Sequence, residues 1–295
     1  MDRIAVSLVA PAYLCFPFWI AQENGFFAER GVEAICKIEG TTDGVTTAVL
    51  TGRSQLAIGA AEGFVADAAA GGSGRLVGGN ANRAPLSLVA QKSIDSIESL
   101  RGKRLGTSSL AEGTATMIRT MLGAHHLEFP GDYELVLAGS HPARWEALKA
   151  GTIDAALQLI PFDYVAEESG YAILGKASDY VPDYAFSALG VDLQWAEANR
   201  DIAQRAIAAI RDATRWANDE RQAAARILAS ATHTNPAHAV RGINEMFDTQ
   251  VVSCDLAIEP KALQTIFETM HELDLVPNDC VLTYGSCVDE TFLID

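Results

Sequence analysis

The carboxylates Glu62 and Glu112 are the side chains best placed for chemistry. Glu62 follows the apolar run that ends at Gly59, and each carboxylate stands close to the start of a helical stretch. If burial raised its pKa, either group could act as a general acid or base, and an ionised carboxylate would favour a cationic or hydrogen-donating ligand. Each could equally cap the first turn of its helix. Arg83 could pair with either carboxylate or with an anionic substrate.

Hydroxyl groups stand at other predicted helix starts. Thr41, Thr42 and Ser109 could cap helices or contact a ligand, and the sequence leaves both roles open. With the free backbone amides of a helix start, such hydroxyls suit a carboxylate, sulfonate or phosphate.

Cys15 lies in an aromatic segment with Tyr13, Phe16 and Trp19, where an aromatic ligand could stack. A thiol there could be a nucleophile or a metal ligand. No histidine is close enough in sequence to activate it, so we expect core packing.

No histidine or cysteine spacing indicates a metal or a cofactor, and we predict neither. His141 lies next to Arg144 in a predicted loop that could be near a ligand site, but we expect a solvated histidine. Cys280 and Cys287 flank a plausible turn, so they could form a disulfide in an oxidising compartment or remain free thiols.

Strands and helices alternate through the part of the chain that must position these residues. Residues 4–9 and 32–38 are predicted strands, residues 45–51 a helix, residues 75–78 a short strand, and residues 80–83 a polar loop. Parallel strands joined by helices place ligands at the carboxyl ends of the strands, next to helix N-termini. The loop-to-helix junctions are therefore candidate ligand contacts.

The last third of the chain is helical, and its helices begin with capping or proline signals. They are predicted at 201–218, 220–231, 236–247 and 260–273. Because they carry no visible site chemistry, we expect them to brace the first domain.

The composition limits the classes of protein to which the chain can belong. The chain has 295 residues, 49% hydrophobic and 20% charged, which is long enough for two hydrophobic cores. Its formal charge of -16 and the lack of basic runs argue against a nucleic-acid partner. No apolar run reaches the roughly 18 residues of a membrane span.

The N-terminus bears on localisation. Met1-Asp-Arg leads directly into the first predicted strand, with no secretory signal ahead of it. We expect a periplasmic protein if a signal peptide was removed, and a cytoplasmic one if Met1 is the native start.

Several phrases occur in the order typical of one family. They are Phe16-Pro-Phe-Trp through Gly25-Phe-Phe, then Leu50-Thr-Gly through Leu56-Ala-Ile-Gly59, Gly102-Lys-Arg-Leu-Gly106 and Gly151-Thr-Ile-Asp-Ala155. The chain resembles the extracytoplasmic solute-binding proteins that deliver nitrate, sulfonates and thiamine-precursor pyrimidines to ABC transporters.

The resemblance implies an α/β fold of the type II periplasmic binding protein kind. Two doubly wound lobes would close on a ligand in the cleft between them, with a helical C-terminal part. Residues 1–85 and 186–295 would form the first lobe, and residues 86–185 the second.

Carried over by position, the resemblance also implies where ligand contacts lie. The expected ligand-binding residues are Tyr13, Cys15, Phe16, Thr41, Thr42, Ala60, Glu62, Asn82, Arg83, Ser108, Ser109, Glu112, Thr114 and Pro161.

Two functions remain open. The favoured one is binding of a small polar, anionic or aromatic solute for an ABC permease. The alternative is a cytoplasmic enzyme on the same scaffold, resembling the decarboxylases, dehydratases or pyrimidine synthases of this fold, with Glu62 and Glu112 as catalytic carboxylates.

Overall fold

A computed structural model describes residues 1–110, 113–272, 274–277 and 279–293. Within these residues the strands are β1 (Asp2–Leu8), β2 (Val32–Ile38), β3 (Leu56–Gly59), β4 (Gly74–Ala81), β5 (Leu86–Ala90), β6 (Arg104–Thr107), β7 (Glu134–Leu137), β8 (Ala155–Leu159), β9 (Ala172–Lys176) and β10 (Ser187–Asp192). The helices are α1 (Phe16–Glu23), α2 (Phe26–Glu29), α3 (Thr42–Leu50), α4 (Glu62–Ala69), α5 (Thr114–Gly123), α6 (His141–Lys149), α7 (Phe162–Glu168), α8 (Leu193–Ala198), α9 (Arg200–Asp219), α10 (Arg221–Thr232), α11 (Pro236–Asp248), α12 (Pro260–Glu272) and α13 (Tyr284–Cys287).

The strands form two five-stranded mixed sheets, ordered β2-β1-β3-β10-β4 and β7-β6-β8-β5-β9. In each sheet the first three strands are parallel, and the fourth runs antiparallel to both neighbours. The antiparallel strands, β5 and β10, are those that the chain enters after crossing from the other sheet. Each sheet forms a lobe together with its packed helices. The predicted type II periplasmic-binding-protein fold is confirmed. The predicted boundaries after residues 85 and 185 stay a prediction.

The C-terminal helices agree with the sequence prediction to within one residue at each end. These helices were expected to brace the first lobe, but α11 also contacts the second lobe. The Tyr164 hydroxyl donates to Glu245 at 2.5 Å, and His238 Nε2 lies 3.0 Å from a carboxylate oxygen of Glu168. None of the described helices combines the length and apolar character of a membrane span.

Residues 80–83 differ from the predicted polar loop. Strand β4 extends through Asn80, whose side chain is buried and donates to the Leu14 carbonyl at 2.9 Å and to Ser187 at 3.0 Å. These long-range bonds hold a polar side chain inside the protein, which a local sequence pattern does not reveal. Cys280 and Cys287 are free thiols.

Candidate functional site

A cavity of about 70 Å³ lies between the two lobes. The helices α3, α5 and α6 each contribute their first residue to its wall, so that Thr42, Thr114 and His141 meet there. Each helix follows the carboxyl end of a parallel strand, which is where ligands bind in α/β sheets. The remaining wall is largely apolar and includes Val9, Ala10, Leu14, Ile58, Leu159 and Phe186.

Arg144 supplies the positive charge in the cavity wall. It lies on α6, and its side chain is fully buried. Burial lowers its pKa to about 9, so the guanidinium remains protonated at neutral pH. Among the described residues, no aspartate or glutamate lines the cavity, and no salt bridge joins Arg144 to a carboxylate.

The guanidinium is held by neutral acceptors. Nη1 donates to the Thr114 hydroxyl at 2.5 Å, and Nη2 donates to Nδ1 of His141 at 2.7 Å. Thr114 in turn lies 2.9 Å from the Thr107 hydroxyl, which donates to the Ser109 carbonyl at 2.8 Å. The direction of each of these hydrogen bonds is fixed, because the Thr107 hydroxyl donates to Ser109 and must therefore accept from Thr114.

Two buried polar atoms of the cavity wall lack a hydrogen-bond partner among the described residues. They are Nε of Arg144 and Oγ1 of Thr42. An unpaired buried donor costs roughly 1–3 kcal/mol, and more when it is charged. A ligand that accepts hydrogen bonds would relieve this cost, so the wall is complementary to an anion.

His141 is the first residue of α6 and is half-buried in the cavity wall, so it does not lie in the solvated loop that the sequence predicted. Its Nδ1 lies 3.0 Å from the backbone N–H of Leu159 as well as beside Arg144. Burial, followed by the charge of Arg144, lowers the pKa of the ring well below its usual range, while the Leu157 backbone opposes the shift. The imidazole is neutral at pH 7.

Five of the fourteen predicted ligand-binding residues line the cavity: Cys15, Thr42, Ala60, Ser108 and Thr114. Burial raises the pKa of the Cys15 thiol to about 12, and its Sγ lies 3.7 Å from the Ala10 carbonyl. The thiol is therefore protonated, which agrees with the expected packing role.

Four of the remaining predicted residues have structural partners instead. Thr41 caps α3 by accepting from the Gly44 amide, and Phe16 packs edge-on against Phe247. Asn82 bonds the backbone of residues 257 and 259. Arg83 donates to the Gln250 carbonyl and lies 3.7 Å from Asp183, away from the cavity.

Tyr13 and Pro161 line a second cavity of about 90 Å³, which shares Ala12, His141 and Leu159 with the first. The Tyr13 hydroxyl bonds Thr234 at 2.9 Å. The ring of His141 thus belongs to the walls of both spaces.

Glu62 and Ser109 contribute contacts between the lobes. Oε1 of Glu62 accepts from the Tyr184 hydroxyl at 2.8 Å and from the Gly113 amide at 3.2 Å, while Ser109 donates to Asp43 at 2.8 Å. Burial raises the pKa of Glu62, opposed by its hydrogen bonds. Its Oε2 has no partner among the described residues, and Glu62 does not line the cavity.

The backbone at Gly113 permits this close approach of the lobes. Its φ is +64°, and an added Cβ would stand 3.2 Å from Thr42 of the other lobe. Glu112 lies outside the described residues, so its predicted role stays a prediction.

Arg144 and His141 line the cavity but are not among the fourteen predicted ligand-binding residues. The signal was Pro142, because a proline in the first turn is typical of a helix that begins near residue 141. The junction between β7 and α6 then repeats the strand-to-helix pattern of the other cavity residues.

Solved structures confirm the fold at low sequence identity. A protein of Bordetella bronchiseptica RB50 is 19% identical, with a TM-score of 0.85 over 99% of this chain and 96% of that one. A zinc-bound ligand-binding component of an ABC-type import system from Staphylococcus aureus is 15% identical, with a TM-score of 0.77 over 99% and 98%. The alkanesulfonate-binding protein of Xanthomonas axonopodis pv. citri, bound to MOPS, is 16% identical, with a TM-score of 0.75 over 97% of each chain.

No curated protein matches the chain in sequence. The family model described as NMT1/THI5 like matches residues 15–224, which is more than half of the chain. This match includes every strand described above except β1, together with all three helix starts of the cavity, and the chain belongs to the NMT1/THI5-like family.

Proposed function

We propose that the chain is a solute-binding protein that closes its lobes on a small organic anion. The observation that carries this proposal is the fully buried, protonated Arg144, which has no carboxylate partner among the described residues and an unpaired Nε. Isolating a charge from water costs several kcal/mol, and an anionic ligand would offset that cost.

The rest of the wall defines the uncharged part of this ligand. Apolar side chains dominate the wall, and its hydroxyls belong to residues such as Thr42 and Ser108. The space of about 70 Å³ exceeds the ~10–15 Å³ that one water requires, but it is small for a ligand pocket. These features fit a sulfonate or carboxylate with a short apolar body. The alkanesulfonate-binding relative carries a ligand of this class.

The proposed biological role is delivery of this anion to an ABC permease from the periplasmic side of the membrane. The family match and the import-system neighbours support this role. An enzymatic role has less support, because the Cys15 thiol is protonated and Glu62 lies outside the cavity wall.

Three probes with the same propyl body but different head-group charges test the proposal. They are 1-propanesulfonate, butanamide and propylamine, each titrated calorimetrically into ligand-free protein at pH 7. We expect one-to-one binding of the sulfonate and at least 30-fold weaker binding of the amide and the amine. Preference for the amine or the amide would contradict the proposal.

A further inference from the structure

The hydrogen bonds around His141 determine which ring nitrogen carries the proton. Nδ1 faces two donors, the backbone N–H of Leu159 at 3.0 Å and Nη2 of Arg144 at 2.7 Å. Neither donor can accept a hydrogen bond, because an amide N–H and a guanidinium have only protons to offer. Nδ1 must therefore be unprotonated, and the single proton of the neutral ring is on Nε2.

This arrangement also resists a second proton. Protonating Nδ1 would turn an acceptor into a donor, break the bonds to Leu159 and Arg144, and place two cations in contact. Burial and the Arg144 charge also oppose protonation of the ring, and they lower its pKa. His141 thus holds Arg144 in place without adding charge to the cavity wall.

The other groups near His141 leave the charge of the site unchanged. Cys15 in the first cavity and Tyr13 in the second are neutral, because burial raises the pKa of each to about 12. On β8 the ring contacts the backbone of Leu159 and of Leu157, neither of which carries charge. Among the described wall residues, the fixed charge is therefore the single positive charge of Arg144.

We propose that the cavity selects singly charged organic oxyanions over doubly charged ones, and that His141 is the positioning residue that sets this selectivity by orienting Arg144 while remaining uncharged. This inference rests on the proposed anion-binding function. A monoanion neutralises the buried guanidinium, whereas a dianion would leave one negative charge in a space closed by apolar side chains.

The test compares 1-propanesulfonate with propyl phosphate between pH 5 and pH 8. The sulfonate carries one charge throughout and therefore reports any titration of the protein itself. The phosphate monoester changes from a monoanion to a dianion with a second pKa of about 6. If only its monoanion binds, the affinity ratio of sulfonate to phosphate increases about 100-fold from pH 5 to pH 8.

The outcomes distinguish failure of this inference from failure of the proposed function on which it rests. Failure of both anions to bind would overturn the proposed function together with the inference. Binding of both anions with a ratio that does not change with pH would leave the proposed function intact and overturn the charge selectivity.

Two variants test the role of His141 in orienting Arg144. Asparagine can present an acceptor near the position of Nδ1, whereas alanine presents none. We expect His141→Ala to weaken propanesulfonate binding at least tenfold and His141→Asn to restore it to within threefold, with the selectivity for the monoanion retained. Equal binding by the wild type and His141→Ala, or a similar loss in both variants, would overturn the positioning role. The wild-type pH series decides the selectivity even if a variant fails to fold.

Discussion

Arg144 donates to Nδ1 of His141 across 2.7 Å, and the two residues lie one helical turn apart on α6. A buried guanidinium usually has a carboxylate partner, but this one is held by a neutral imidazole and a threonine hydroxyl. Its positive charge thus remains available to a ligand in the cavity between the lobes.

The first prediction concerns stability without ligand. Because Arg144 is a buried charge without a carboxylate partner among the described residues, Arg144→Met should raise the free energy of unfolding of the ligand-free protein by about 1 kcal/mol. Urea denaturation measures this change. Arg101→Met is a matched control, since Arg101 forms an exposed pair with Asp132 and its loss should change stability by less than about 0.5 kcal/mol. A marked destabilisation by Arg144→Met would show that the guanidinium is structural.

The second prediction distinguishes a role of Glu62 in closing the lobes from a catalytic role. Glu62→Ala removes the acceptor for the Tyr184 hydroxyl and the Gly113 amide, so propanesulfonate affinity should fall about tenfold. Glu62→Gln retains an acceptor oxygen and should bind within threefold of the wild type. Calorimetry measures both affinities, and small-angle scattering should show a larger radius of gyration for the alanine variant. An equal loss with glutamine would indicate that the carboxyl group itself is needed.

The third prediction is a pH dependence from Asp163 on α7. Burial, reinforced by the charge of Glu245, raises the pKa of this carboxyl from 3.8 to about 6, against hydrogen bonds from Ser87 and the Tyr164 amide. Between these two values the folded state binds more protons than the unfolded state, so the residue's contribution to stability is lost as the pH rises through about 6.

Asp163→Asn should remove that contribution. The stability of the wild type relative to the variant should fall between pH 4 and pH 6.5, by on the order of 3 kcal/mol at most. Chemical denaturation at a series of pH values gives the comparison. Parallel stability curves for the two proteins would show that Asp163 has no raised pKa.

The fourth prediction concerns the reactivity of Cys15. A thiol pKa of about 12 leaves roughly 1000-fold less thiolate than an ordinary cysteine has at pH 8. Alkylation by iodoacetamide, followed by peptide mass spectrometry, should therefore be at least that much slower in the native protein than in urea. Equal rates would reopen a nucleophilic role for this residue.

The sequence predicted the cavity residues that follow directly from the ends of strands. Thr42, Ser108 and Thr114 were found because parallel strands and helix starts form one edge of a sheet. The C-terminal helices were found because proline, capping residues and apolar periodicity are local signals. Both successes depend on information contained within a few residues.

The differences between the expected residues and the cavity wall depend on packing between distant segments. Arg144 is fully buried, and its guanidinium donates to Thr114, a residue 30 positions away in sequence. Phe16 and Asn82 were expected in the site but face inward to partners more than 150 residues away in sequence. A motif gives the loop on which a residue lies, whereas the direction of its side chain follows from the tertiary structure.

Calorimetric titration of 1-propanesulfonate into the wild type and Arg144→Met at pH 7 tests the central claim most directly. We predict one-to-one binding to the wild type and an affinity at least 100-fold lower for the variant, since removing one partner of a buried charged contact costs roughly 2–5 kcal/mol. Equally tight binding to both proteins would contradict the claim that Arg144 anchors the ligand.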